Sequence, residues 1–183
     1  MTLTATAGSA SANSYCTLAE AETYFGNSYG RAVWTSASDA NKNIVLIEAT
    51  RLLDTLVKWQ GYLATATQAL RWPRTYVRDP DSYPGSTAFM DIGLGGPYLD
   101  STTVPQPIKE IACELAYSIL SNGGFSAVEN DVTKVRVGTI IVDFSEKVKG
   151  QGFPQIVRDM ITRWGEYMIG SSNSVHSVTI SRV

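Results

Sequence analysis

Two stretches of the chain repeat apolar residues at helical spacing: Val45, Ala49, Leu52, Leu53 and Leu56 in the first, Ile108, Ile111, Ala112, Leu115 and Ile119 in the second. A helix with one apolar stripe is stable only when that stripe is covered, so the spacing predicts two core helices packed face to face. The first is expected over about residues 38–58, capped by Ser38 or Asp39 and ending at Gly61. The second starts with proline in its first turn and stops at Gly123-Gly124. A further stripe of Val157, Met160, Ile161, Trp164 and Met168 follows Pro154 and runs toward Gly170. Thr17-Leu18-Ala19-Glu20 reads as a capping box, opening a short helix to about Phe25. The expected fold class is therefore mainly α, a helical bundle of about four helices.

Other segments break this pattern. Residues 132–137 and 140–144 are β-rich runs around Gly138-Thr139, and glycine first in a two-residue turn suits a hairpin. Lys134 and Arg136 alternate with Val135 and Val137, giving one cationic face and one that can pack. A lone hairpin is marginal in water, so this one is expected to project from the bundle and meet a partner. Residues 65–103 carry Trp72-Pro73, Asp79-Pro80, Tyr83-Pro84-Gly85 and Gly93-Leu94-Gly95-Gly96-Pro97, all breakers of regular structure. A loop of that length gains order only from contacts, with Trp72 buried and Arg71, Arg74 and Arg78 reaching acidic groups on a neighbouring subunit or on the bundle. Residues 1–14, small and polar, form an expected flexible N-terminal arm ahead of a helical domain at 15–170. Residues 171–183 form a C-terminal extension, in which Val178 and Ile180 alternate with Thr179 and Ser181 as a strand without a nearby partner.

The charge balance narrows the function. Fifteen Lys and Arg stand against seventeen Asp and Glu, a formal net charge of -2, so no global basic field draws the chain to nucleic acid. Charged residues make up 17%, below the roughly 25% usual for soluble domains. A surface covered instead by Ser, Thr, Asn and Gly tolerates close neighbours. No apolar run approaches the roughly 18 residues of a spanning helix, so no membrane is expected. The N-terminal residues carry neither Lys or Arg nor an apolar core, and the chain is expected to be made in a cytoplasm. Cys16 and Cys113 fall in segments expected to be helical, without CxxC spacing, and are read as reduced core thiols.

Catalytic signals are absent from the pattern. The one histidine, His176, lies in the C-terminal extension, far from any nucleophile and carboxylate it would need to link. Asp79 and Asp81 stand among prolines that describe a turn, and Gly93 to Pro97 neither follows a strand nor opens a helix. No enzyme, catalytic residue, metal or cofactor is expected. Trp72-Pro73-Arg74, with Arg71, Tyr76 and Arg78, interleaves rings and cations as a single-strand platform does, although a core Trp with snorkelling arginines explains the same residues.

The order of segments also resembles a family of tailed phages. The carriers are Ser14 to Ala21 with Tyr24-Phe25, the helix holding Glu48-Ala49-Thr50-Arg51 before Trp59-Gln60-Gly61, and Gln68-Ala69-Leu70-Arg71-Trp72-Pro73-Arg74. Val104-Pro105 before a helix, then Lys134 to Phe144 and a closing helix, look like phage head-tail adaptors. The resemblance covers about residues 13–170, and members are sometimes labelled putative DnaT-like single-strand DNA-binding proteins. It implies a structural virion protein of the neck, between head and tail. Its copies would form a twelve-fold ring below the portal protein, extend the channel through which double-stranded DNA passes without sequence-specific contact, and offer the tail attachment site. On that resemblance Lys134, Arg136, Gly138 and Thr139 are candidates for channel or tail-side contact. Val178, Thr179, Ile180 and Ser181 are candidates for docking on the portal by strand addition, and Arg71, Trp72, Arg74 and Arg78 for contact between subunits. The alternative implied by the label is a single-strand DNA-binding replication accessory protein.

Overall fold

The computed structural model describes residues 2–80, 98–125, 134–137, 140–143 and 152–168, with the backbone alone for the segments 134–137 and 140–143. The fold is mainly α, as the stripes predict. Five helices are present among the described residues: α1 Leu18–Gly26, α2 Ala32–Ser36, α3 Asp39–Leu56, α4 Gln106–Asn122 and α5 Gln155–Ile161. Helix α4 is the centre, packing against α1, α2, α3 and α5. All five residues of its predicted stripe, Ile108, Ile111, Ala112, Leu115 and Ile119, are buried. In α3 the buried face is Val45, Leu46, Ala49 and Leu53, with Leu52 and Leu56 at its margin. The caps also follow the sequence. The Thr17 hydroxyl accepts from the Glu20 N–H while the Glu20 carboxylate accepts from the Thr17 N–H, and the Ser38 hydroxyl accepts from the Asn41 N–H. Gly123, in left-handed conformation, closes α4.

Two helices end sooner than their stripes suggest, for one reason. Val57 leaves α3 in extended conformation and begins β1, Val57–Trp59, while α5 stops at Ile161 and the chain turns into β6, Gly165–Tyr167. These strands pair antiparallel, Val57 opposite Tyr167 and Trp59 opposite Gly165. A Cβ on Gly165 would lie 2.7 Å from the Lys58 carbonyl oxygen, so the close approach depends on glycine there. Val57 and Trp59 face the core and Lys58 faces out, a period of two that the apolar count had absorbed into a helix. Helix α2, only five residues, has too little periodicity to announce itself.

Residues 2–14 contain no helix or strand and do form an arm, but the expectation that it is flexible needs correction. The Asn13 side chain joins its two ends, accepting from the Thr4 N–H at 2.7 Å and donating to the Thr2 carbonyl at 2.9 Å. The Ala69 N–H donates to the Ser9 carbonyl, and Ala12 and Ser14 are buried. Composition alone misses this, because the order comes from side-chain amide bonds and a distant loop. The described part of the 65–103 loop is likewise seated on the body, with Trp72 and Val77 1% exposed.

Candidate functional site

The turn after β1 organises the surface that the loop presents. β2, Tyr62–Leu63, pairs antiparallel with β3, Arg74–Thr75, and Gly61 precedes β2 at φ +70°. The Arg74 guanidinium lies beneath this turn. It donates to the carbonyls of Gln60 at 2.5 Å, Gly61 at 2.6 Å and Arg71 at 3.1 Å, and is 8% exposed. Burial lowers the Arg74 pKa without removing its role as a donor fork. Beside it, buried Tyr15 donates its hydroxyl to Asp54, whose other oxygen accepts from the Arg71 N–H at 3.0 Å. Burial raises the Asp54 pKa, and the Tyr15 and Arg71 hydrogen bonds oppose that rise.

The four loop residues expected to contact a neighbouring subunit therefore separate. Trp72 is a core residue, edge-to-face with Trp59 at 5.8 Å between centroids. Arg74 requires a correction: its partners are backbone carbonyls of its own chain rather than acidic groups elsewhere. A fork of five N–H donors is suited to several carbonyls at once, and sequence spacing gave no sign of which acceptors would face it. Arg71 and Arg78 are exposed.

Around Arg78 the fold assembles a feature that no sequence window contains. Tyr62, Tyr76 and Tyr98 are 71%, 67% and 37% exposed, and their rings form an edge-to-face row. Tyr76 lies 6.3 Å from Tyr62 at 84° and 5.6 Å from Tyr98 at 85°. Tyr76 has φ +57°, a left-handed conformation that costs a bulky side chain about 1–2 kcal/mol. An antiparallel bridge between Arg78 and Tyr98, with the Leu99 N–H on the Val77 carbonyl at 2.9 Å, fixes the third ring. Only Tyr76 among them stood out in the sequence, because Tyr62 and Tyr98 are brought in by β2 and by this bridge.

Many of the described cations are engaged. Arg31 meets buried Glu114 at 2.5 Å and lies over the Tyr117 ring at 4.4 Å, while the Tyr24 hydroxyl also donates to Glu114. Lys42 meets Glu22 at 2.7 Å, Arg51 meets Glu48 at 2.6 Å and Lys109 meets Glu20 at 2.5 Å. No group of three or more His, Cys, Asp or Glu suited to a metal occurs among the described residues. None of the described helices is long and apolar enough to cross a membrane.

The hairpin forms in the expected register: β4, Lys134–Val137, pairs antiparallel with β5, Ile140–Asp143, placing Lys134 opposite Asp143 and Val137 opposite Ile140. Among the described residues it is a two-stranded sheet of its own. The turn residues Gly138 and Thr139, the C-terminal candidates Val178, Thr179, Ile180 and Ser181, and His176 lie outside the described residues.

No curated protein and no solved structure matches the chain. A family model does match, over residues 1–183, and its description is "Putative DnaT-like ssDNA binding protein". The match spans the helical body, the tyrosine row and the hairpin alike, and by it the chain belongs to the DnaT-like family so described.

Proposed function

We propose that this protein is a non-enzymatic head-tail connector adaptor of a tailed phage, assembling as a ring of about twelve copies in the virion neck. The observation that carries the reading is the self-paired hairpin β4–β5, whose two outer edges have no third strand among the described residues. Two strands alone are marginally stable, and free edges invite pairing, so a neighbouring copy or a neck partner supplies the missing surface. The resemblance of segment order to phage adaptors supports the same assignment. So does the net charge of -2, since DNA must slide through a channel and a wall of unpaired lysines and arginines would hold its phosphates. In this reading the ring meets the portal on one face and a tail-side protein on the other, with residues 178–181 reaching the portal. Removing residues 133–143 tests it: the variant folds, while tails fail to attach to particles carrying it. Infectious particles in normal yield would overturn the proposal.

A second reading has its own support. The family's description names single-stranded DNA, and the row Tyr62, Tyr76, Tyr98 is exposed. Stacking of a base on an aromatic ring contributes about 1–3 kcal/mol whatever the base, and exposed Arg78 beside the row supplies a cation for the backbone. Filter binding of single-stranded DNA at physiological salt separates the readings. Submicromolar affinity of the isolated protein, lost in a Tyr62→Ala, Tyr76→Ala double variant, favours the accessory-protein role.

A further inference from the structure

Cys16 and Cys113 stand 97 positions apart, yet their sulfurs are 3.7 Å from each other. Both are free and buried, at 0% and 2% exposure. Cys113 is held by a helix, and Cys16 by a hydrogen-bonded bend ahead of one. Cys16 lies just ahead of the α1 cap, with the Ser14 hydroxyl donating to its carbonyl at 2.7 Å, and Cys113 is in the middle of α4.

We propose that this pair is a site of oxidative modification, where a peroxide-class oxidant closes an intramolecular disulfide between the segment entering α1 and the central helix α4. A disulfide needs its sulfurs about 2.05 Å apart, so closure asks for a shift of roughly 1.7 Å shared between two side chains. Cys113 is held above the ordinary thiol range first by its hydrogen bond with Cys16 and second by burial, which disfavours its ionisation while Cys16 stays a thiol. Either sulfur can react first, and the steps are the same with the two exchanged. Taking Cys16 first, its thiol sulfur attacks one oxygen of hydrogen peroxide; an S–O bond forms, the O–O bond breaks, and the leaving hydroxide takes up the thiol proton as water. Cys113 then attacks the sulfenic sulfur of Cys16, forming the S–S bond and breaking S–O, and its proton leaves with the second hydroxide as water. Two thiols are oxidised and one peroxide is reduced to two waters.

The test uses the full chain, treated with hydrogen peroxide, then unfolded and alkylated under non-reducing conditions. The expected product is a monomer lighter by two hydrogen masses that takes up no alkyl group, and dithiothreitol restores two alkylation sites. Because the bond closes a loop of nearly one hundred residues, the oxidised protein should melt on the order of 10 °C higher than the reduced one. Cys16→Ala and Cys113→Ala variants should each lose the peroxide-dependent shift. Two alkylated cysteines after peroxide, sulfinic acid in place of the cross-link, or disulfide-linked dimers would each overturn the proposal.

Discussion

Arg74 offers a quantitative test of how the loop is held. Its guanidinium spans three carbonyls, those of Gln60, Gly61 and Arg71, at 2.5 to 3.1 Å. Hydrogen bonds from a charged donor contribute about 1.5–3 kcal/mol each when both partners are shielded. All three bonds are only partly buried, so each contributes nearer 1 kcal/mol. Replacing Arg74 by Met keeps the volume of the stem and removes all three donors. The expected loss is about 3 kcal/mol, somewhat reduced because the variant no longer buries a charge. Arg74→Lys retains a charge that reaches one carbonyl, and should lose about 2 kcal/mol. The assay is urea unfolding, with the slope required to stay constant so that the midpoint reports stability. For a chain of 183 residues the Met variant should melt about 6–12 °C lower. A Met variant within about 0.5 kcal/mol of the parent would refute the claim that this fork holds the turn.

Further outcomes follow from other contacts. Gly61→Ala sets a Cβ 2.3 Å from the Thr75 carbonyl oxygen at φ +70°, and should cost about 3 kcal/mol or more in urea unfolding while disturbing the fluorescence of the tyrosine row. Glu20 is held below its ordinary value: partial burial opposes this, but bonds from Lys109 and Thr17 prevail. A depressed carboxyl stabilises above its unfolded pKa and loses that contribution as the pH falls through the folded value. The stability gap between the parent and Lys109→Met, a few tenths of a kcal/mol for a pair partly open to solvent, should therefore be full at neutral pH and close below pH 4.5, as read by urea midpoints across that range. Removing residues 133–143 should leave the far-ultraviolet helix signal and the melting temperature of the body nearly unchanged, because the described hairpin strands pair only with each other.

The helical frame was legible because α1, α3 and α4 each state their own terms locally: a capping box at Thr17, Ser38 ahead of Asp39, and a glycine at 123. The hairpin was legible for the same reason, with strand, turn and strand contiguous. Where partners are distant the pattern fails. Val57–Trp59 reads as the last turn of α3 until Gly165–Tyr167, more than one hundred residues away, takes it as a strand. The 2–14 segment looks unable to order itself until Asn13 bonds Thr2 and Thr4 and Ala69 bonds Ser9. Arg74 could be sorted from Arg71 and Arg78 only once the Gly61 turn faced it. The tyrosine row was the least visible feature, since Tyr62, Tyr76 and Tyr98 share no period and meet through two separate strand contacts.

Electron microscopy of purified portal rings mixed with this protein decides between the ring adaptor and the replication protein. A ring adaptor gives an added ring of about twelve copies on one face of the portal, with hairpins from neighbouring copies in contact, and loses that ring when residues 133–143 are removed. Bare portals beside a protein that remains monomeric and binds single-stranded DNA with submicromolar affinity would contradict it and favour the replication role.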